Sequence, residues 1–403
     1  MKSIKINNLL LLPSFFIFII FCLFFFYFSK GNTYLFTSDF SFYHDYANSL
    51  LGDFASDLSD QIYMNNDNQE WNPSPFYSLI FLSPITLLGS KELFFLEGLI
   101  MGLLIIYNFL IAIYKLNISI DKRTVSLILL LITLFPSFLI ETITVSTNSV
   151  FLLFGLLSFN SKSPFSRIFC LIICSLIRAN YLLFIISIIC SNLIFKPEGF
   201  KKFILLTIPS IATYIITYKL TFSSYPGSEF NYLLLAEGQN LSILHNYSQN
   251  IFSDLLISEN INSIIFWDAN ILEILKLIFS SQENLAYFIN LWITKISLTL
   301  GYLHDGLTTT NSGLWFLKAW RTIYFSIISL PAFYIASLEL FLNRFSSIEK
   351  TVILSGIFMV ILNSALIGLP KYFIGIHAIF IYVLILFLSN LSSFQLNIEK
   401  KIK

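Results

Sequence analysis

The chain has 403 residues, of which 56% are hydrophobic and 12% are charged, and its formal net charge is +1. A soluble domain carries about 25% charged residues, so this composition excludes an ordinary soluble protein. The balanced charge gives no basic bias of the kind that binds nucleic acid. We therefore predict a polytopic integral membrane protein with an all-α fold, one membrane domain over residues 1–403, and about ten transmembrane helices, within a range of about nine to twelve.

The first apolar segment covers residues 9–28 and follows Lys2 and Lys5. It is about twenty residues long, enough to cross a hydrocarbon core of about 30 Å and too long for the apolar part of a signal peptide. No small-residue cleavage site follows it. We expect a retained first span whose basic N-terminus lies in the cytoplasm.

An acidic stretch over residues 30–72 follows this span and contains almost no Lys or Arg. This imbalance is typical of a large loop on the non-cytoplasmic side. Within it, Phe42, Tyr46, Leu50, Phe54 and Leu58 recur at helical spacing, which predicts an amphipathic helix on the membrane surface.

Asp39 lies just beyond the first span, at the expected membrane boundary. A carboxylate fixed there can take a proton from an acceptor hydroxyl group, or it can hold a divalent cation that screens a donor phosphate. It can also serve only as a cap of the surface helix or as a solvated acid. The residues themselves leave these alternatives open, and with them the question of a divalent cation.

Further apolar segments follow along the chain, and several of them are shorter than a normal span. They cover residues 76–88, 93–114, 125–140, 150–159, 168–177, 181–195, 203–222, 285–300, 323–342, 352–369 and 372–388. Short segments with polar joints indicate half-helices or re-entrant pieces, which are tolerated only where protein buries the backbone or a wet cavity borders it. A second polar stretch, residues 223–312, is expected to form the other large non-cytoplasmic loop.

Basic residues gather in five clusters that indicate the orientation of the helices: Lys115 with Lys122 and Arg123, Lys162 with Arg167, Lys196 with Lys201 and Lys202, Arg344 with Lys350, and Lys400 with Lys401 and Lys403. If all are cytoplasmic, residues 145–149 and 178–180 fall on the outer side, and residues 76–114 make one net crossing. A plain ten-span count instead puts the first two clusters outside. We prefer the first arrangement, with both termini in the cytoplasm.

No motif of a soluble enzyme is present, so the candidates are ionisable residues at membrane depth or in the outer loops. Arg178 lies between two short apolar pieces, and Lys371 opens the last span together with Tyr372. Either cation can bind a lipid phosphate, and an Arg does so with two hydrogen bonds. The alternatives are a snorkelling or paired structural Arg and an interfacial anchor.

His304 and Asp305 lie in the second loop, and Trp320 and Arg321 come at the entry to the next span. Aromatic faces and an Arg can hold a sugar or a prenyl phosphate, although Trp at a membrane interface is also ordinary. His377 lies about one turn into the last span, where we interpret it as a packed histidine.

Several short motifs occur in a characteristic order. Asp39-Phe40 precedes Tyr43, Ala47 and Leu50-Leu51-Gly52, then come Pro73-Ser74-Pro75-Phe76 with Ser83-Pro84, Ser146-Thr147-Asn148-Ser149, Arg178-Ala179-Asn180, and Lys371-Tyr372. This order resembles the GT-C superfamily of membrane glycosyltransferases, and most closely its polyprenol-phosphate-mannose-dependent mannosyltransferases (glycosyltransferase family 87). The likeness covers residues 1–200 in the main. Here Ser74 splits the family's Pro pair, and the Gly and Gln that precede the family's Asn are missing.

The resemblance implies a GT-C-like fold and an inverting transfer from a polyprenyl-phosphate sugar to a glycan or lipid-linked acceptor outside the cytoplasm. It implies that Asp39 is the base, with Asp45 as a second choice, and that Arg178 and Lys371 contact the donor phosphate. The expected substrate contacts are Tyr43, His304, Asp305, Trp320, Arg321 and Tyr372. The Phe-, Ile- and Asn-rich composition favours a bacterial inner-membrane protein from an AT-rich genome, and the resemblance implies a role in surface-glycan synthesis.

Two other functions remain open. An O-antigen-type polysaccharide polymerase also has large outer loops, but it places paired Arg residues in them, and these loops hold almost no Arg. A lipid-linked sugar flippase or another transporter would show internal repeats and charged residues near the bilayer midplane. No repeat is visible in the sequence.

Overall fold

The computed structural model describes residues 8–28, 77, 91–143, 145–177, 181–197, 200–221, 279–300, 315–342, 345–364 and 374–402. Helices are the only regular secondary structure in these ranges, which confirms the all-α prediction for this part of the chain.

The described helices follow the predicted apolar segments closely. They are α1 (Leu12–Phe28, after a 3₁₀ turn at Asn8–Leu11), α2 (Lys91–Leu116), α3 (Lys122–Thr133), α4 (Pro136–Ile143), α5 (Thr147–Asn160), α6 (Pro164–Ile177), α7 (Tyr181–Phe195), α8 (Phe200–Thr221), α9 (Gln282–Thr299), α10 (Trp315–Tyr324), α11 (Leu330–Glu339), α12 (Ser347–Ser364) and α13 (Ile374–Ile402). A π-helical segment, Phe325–Ser329, joins α10 to α11.

Two of the described helices are long and apolar enough to cross a membrane, Phe95–Leu116 and Ala319–Glu339. A third candidate is the pair α3 and α4, if this bent pair counts as one span. Large apolar side chains also project outward, among them Phe16, which is 66% exposed, and Ile327, which is 67% exposed. These features support a membrane protein, because water disfavours extended apolar surface. The expected number of about ten spans remains a prediction.

The apolar segment over residues 125–140 is interrupted. The chain forms α3 and α4, which are bent by 65°. Pro136 causes the break because it has no backbone N–H to donate to the carbonyl group of Ile132. The N–H group of Phe135 bonds to that carbonyl oxygen instead, at 3.1 Å. The pair α3 and α4 is therefore a broken span or a re-entrant loop, and both are interrupted helices of the kind that the short apolar segments indicated.

Contacts between helix ends bring the basic clusters together. Lys115, in the last turn of α2, donates a hydrogen bond to the carbonyl oxygen of Phe159 and lies near Arg167. Lys350, in the first turn of α12, lies 5.9 Å from the ring centroid of Phe195, the last residue of α7. We call this part of the bundle the basic end.

Tyr382 of α13 connects the two groups of contacts. Its hydroxyl group donates to Oε1 of Glu349 at 2.7 Å, and it lies near Asn117, directly after α2. The described residues of the first four clusters thus share one end of the bundle. The side of the membrane that this end faces remains a prediction.

Candidate functional site

The end of the bundle opposite the basic end carries the break between α3 and α4, the turn from α4 to α5, and the neighbouring ends of α9, α12 and α13. We call it the re-entrant end. Most predicted site residues fall in sequence segments outside the described residues, namely Asp39, Tyr43, Asp45, Arg178, His304, Asp305, Lys371 and Tyr372. The helices that flank these segments do lie within the described residues and show where each segment is attached.

The described residues that precede and follow the acidic segment both lie at the re-entrant end. At its start, Phe26 near the end of α1 lies with its ring centroid 4.7 Å from that of Phe95, in the first turns of α2. At its return, the hydroxyl group of Tyr77 donates a hydrogen bond to the carbonyl oxygen of Val145. The segment that contains Asp39 and Asp45 therefore starts and ends beside the turn between α4 and α5.

The other three segments are attached at the same end. The thiol of Cys174, near the end of α6 and just before residues 178–180, lies 3.6 Å from the carbonyl oxygen of Phe151, in the first turns of α5. Thr299 and Ser364, which precede residues 301–314 and 365–373, have hydroxyl oxygens 2.8 Å apart. His377, just after the latter segment, has Nε2 at 3.1 Å from the carbonyl oxygen of Thr299.

Trp320 and Arg321 are the predicted site residues within the described part. Trp320 lies at the break, where its indole N–H donates to the carbonyl oxygen of Leu134 at 3.1 Å. Tyr324, one turn later, donates to the carbonyl oxygen of Leu131 at 2.6 Å. A broken helix leaves such acceptors without their usual N–H donors, and these two side chains supply donors. Arg321 is partly buried on the same helix.

Glu141 and Asn148 form a buried polar pair next to the break. Glu141 is 4% exposed and Asn148 is 9% exposed, and Nδ2 of Asn148 donates to Oε2 of Glu141 at 2.8 Å. Glu141 lies in the last turn of α4, and Asn148 lies in the first turn of α5. A carboxylate in an apolar bundle is costly to bury, so it is a functional candidate by default.

The turn that joins these two residues is strained. Val145 has φ of +46°, in the left-handed region that β-branched residues rarely adopt. The N–H of Ser146 bonds to the carbonyl oxygen of Glu141 at 2.9 Å, and that of Val145 bonds to Thr142 at 3.1 Å. This is the Schellman pattern, in which glycine is usual at the position of Val145. The hydrogen bond from Tyr77 fixes the Val145 carbonyl group.

A close approach of α2 supports the same turn. A Cβ atom on Gly98 would lie 2.4 Å from the carbonyl oxygen of Ile143, so only glycine lets the two backbones meet. Glu97 precedes this glycine, is partly buried, and makes no hydrogen bond or ion pair within the described residues. A second, partly buried carboxylate thus immediately precedes the residue at which α2 meets the end of α4.

His377 is a packed histidine, the interpretation that the sequence suggested. It is 2% exposed, its ring centroid lies 4.2 Å from that of Phe135 at the break, and its Nδ1 lies 3.4 Å from Oγ of Ser329 in the π-helical segment. Since Nε2 faces a carbonyl oxygen, Nε2 carries the proton and Nδ1 accepts from Ser329. His377 thereby ties α9, the π-helical segment and α13 together at the re-entrant end.

Sequence reasoning missed Glu141 and Glu97. A signal existed in each case, because Glu141 directly follows an apolar run and Glu97 interrupts another. Asn148 was noted only as part of a weak motif. Nothing in the sequence indicated that the helix break would place Asn148 against Glu141.

Comparisons with known proteins add no family, since no family model, no curated protein and no solved structure matches this chain.

Proposed function

We propose that this chain is a GT-C-type membrane glycosyltransferase that moves a sugar from a polyprenyl-phosphate donor to an acceptor on the non-cytoplasmic side of an inner membrane. One observation supports this most. Each predicted site residue outside the described part of the chain lies in a segment that described residues flank. These flanking residues meet at the re-entrant end, away from the basic end. Residues far apart in the sequence can therefore contribute to one site, as the proposal requires.

The proposed reaction assigns a role to each segment. Asp39 takes the proton of the acceptor hydroxyl group, the acceptor oxygen forms a bond to the anomeric carbon, and the bond from that carbon to the phosphate oxygen breaks with inversion. Arg178 and Lys371 stabilise the charge on the departing lipid phosphate. Asp45 is the second-choice acid, and a divalent cation at Asp39 is the alternative source of charge stabilisation.

The remaining contacts to substrate are Tyr43, His304, Asp305, Arg321, Tyr372 and the ring of Trp320. The indole N–H of Trp320 already bonds to Leu134, so this residue contributes to substrate binding through its aromatic face alone. In the proposed orientation, the basic end lies in the cytoplasm with both termini, as expected from the positive-inside rule.

A lipid-linked sugar flippase is the second candidate, because broken helices and buried carboxylates are also typical of transporters. The break at Pro136 and the buried Glu141 are the observations that favour a flippase. The two functions differ in product, since a transferase forms a new glycosidic bond and a flippase moves the lipid unchanged.

The test reconstitutes the full chain in liposomes with polyprenyl-phosphate mannose or polyprenyl-phosphate glucose and a lipid-linked glycan acceptor. We expect release of polyprenyl phosphate and an extended acceptor, and a loss of at least about 10²-fold in rate for Asp39→Asn. Arg178→Ala and Lys371→Ala should raise KM for the donor. Translocation without release of polyprenyl phosphate would favour the flippase, and full turnover by Asp39→Asn would remove the assignment of that residue.

A further inference from the structure

The side-chain amide of Asn148 has hydrogen-bonding capacity that the described residues do not use. Within the described residues its one hydrogen bond is the bond that Nδ2 donates to Glu141. An amide group has two N–H donors and one carbonyl acceptor, so a donor and an acceptor remain on the same planar group. Both belong to a side chain that is only 9% exposed.

Glu141 fixes the orientation of this amide. A carboxylate accepts hydrogen bonds and cannot donate them, so the nitrogen of Asn148 must face Glu141 and the oxygen must face away. The Schellman turn holds both residues, and Tyr77 fixes the carbonyl group of Val145 in that turn. The free donor and acceptor of Asn148 are thus preorganised, beside the return of the acidic segment.

From this geometry, and resting on the proposed function, we infer that Asn148 binds hydroxyl groups of the donor's sugar and that Glu141 is its positioning residue. A sugar offers adjacent hydroxyl groups, each of which can donate and accept, and a planar amide with one free donor and one free acceptor matches two of them. A lipid tail offers no such groups. A bare phosphate is an acceptor that would engage the N–H alone, so the amide should discriminate the sugar from the phosphate.

The test compares three ligands on the same purified full chain in detergent. The dissociation constants of polyprenyl-phosphate mannose, polyprenyl-phosphate glucose and sugar-free polyprenyl phosphate are measured by thermal shift. We expect the better sugar ligand to bind about tenfold or more tightly than the sugar-free lipid. We call the dissociation constant of the sugar-free lipid divided by that of the better sugar ligand the selectivity ratio. Asn148→Ala and Glu141→Leu should reduce this ratio to about one, while binding of the sugar-free lipid changes little.

Two further variants serve as controls. Glu141→Gln keeps an oxygen that accepts the hydrogen bond from Asn148, so this variant should retain most of the selectivity ratio. If Glu141 instead acted on the sugar directly through its charge, Glu141→Gln would lose the ratio. Asn160→Ala removes an amide of the same helix at the basic end, where Asn160 donates to the carbonyl oxygen of Asn108 at 2.9 Å. Its ratio should equal that of the unchanged chain. Asn148→Ser is the second variant if Asn148→Ala does not fold.

The outcomes separate the two proposals. Sugar transfer by the unchanged chain, together with an unaltered ratio in Asn148→Ala, would overturn the role of Asn148 and leave the transferase standing. Loss of the ratio without any sugar transfer would overturn the transferase and retain the sugar subsite. A ratio of one in the unchanged chain would overturn the subsite, whether or not sugar is transferred.

Discussion

The indole N–H of Trp320 donates a hydrogen bond to the carbonyl oxygen of Leu134, 186 residues earlier in the chain, at 3.1 Å. The break between α3 and α4 leaves this acceptor without an intrahelical donor, so we expect Trp320→Phe to destabilise the fold by about 1–2 kcal/mol. Thermal unfolding in detergent measures the effect as a lower midpoint. The comparison is Tyr334→Phe, on a side chain that is 63% exposed, which should leave the midpoint unchanged.

The same variant separates two roles of Trp320. A purely structural role predicts a lower midpoint with an unchanged KM for the donor, since the phenyl ring keeps the aromatic face. An unchanged midpoint with a raised KM would instead favour direct sugar contact through the indole N–H, and it would contradict the geometry at the break.

The close approach of α2 to the end of α4 gives a matched pair of glycine variants. Gly98→Ala places a methyl group 2.4 Å from the carbonyl oxygen of Ile143, so the backbones must separate, at a cost of about 1–3 kcal/mol. Gly155→Ala, on α5, meets no atom within 4 Å and should stabilise by about 0.5–1 kcal/mol through helix propensity. Equal midpoints for the two variants would show that the helices do not meet at Gly98.

Val145 provides a test of backbone strain. Its left-handed conformation costs about 1–2 kcal/mol for a residue with a side chain, and glycine removes this cost while adding about 0.5–1 kcal/mol of chain entropy. Both Val145 and Val150 are fully buried, so Val145→Gly and Val150→Gly each lose a packed side chain, and both should lower the unfolding midpoint. We expect the smaller loss for Val145→Gly, because only this variant relieves backbone strain. Equal losses for the two variants would mean that Val145 is not strained.

Asp121 makes one part of the stability depend on pH. Its carboxylate accepts hydrogen bonds from the hydroxyl and N–H groups of Thr124 and from the N–H of Arg123, which hold its pKa below the ordinary value of 3.8. This cap stabilises the fold above that ordinary value, and the stabilisation is lost as the pH falls through the lowered pKa.

The variant Asp121→Ala removes the cap. Because Asp121 is exposed, we expect a cost near the lower end for such caps, about 0.5–1 kcal/mol at pH 7. The midpoints of the two proteins should converge as the pH is lowered from 5 towards 2. A difference that stays constant over this range would contradict the cap as the source.

The helices could be predicted because their signal is local. The segment 181–195 matches α7 residue by residue, and most other bounds differ by a few residues because helix ends depend on caps such as Asp121 and Ser146. The break at Pro136 was missed, although a proline inside an apolar run is a known cause of one. Apolar composition continues across the break, so hydropathy alone cannot detect it.

The site was harder to predict, because burial decides which polar residues are held together. Acidic residues in the first loop were selected by composition, whereas Glu141 gains its interest from being 4% exposed and bonded to Asn148. Their contact depends on a tight turn around Val145 that favours glycine, so the valine gave no turn signal in the sequence. The hydrogen bonds of Trp320 and Tyr324 join parts of the chain that only the tertiary fold brings together.

The π-helical segment sets the angular register of the helix that contains it. The N–H of Leu330 bonds to the carbonyl oxygen of Phe325, five residues back, so this turn holds one residue more than an α-helical turn. Removing the outward-facing Ile327 would restore regular winding and rotate the preceding half by about 100° relative to the following half. Trp320 and Tyr324 would then swing away from the acceptors at Leu134 and Leu131. The one extra residue therefore lets α10 and α11, joined in one continuous helix, each direct their contact side chains towards a different neighbour.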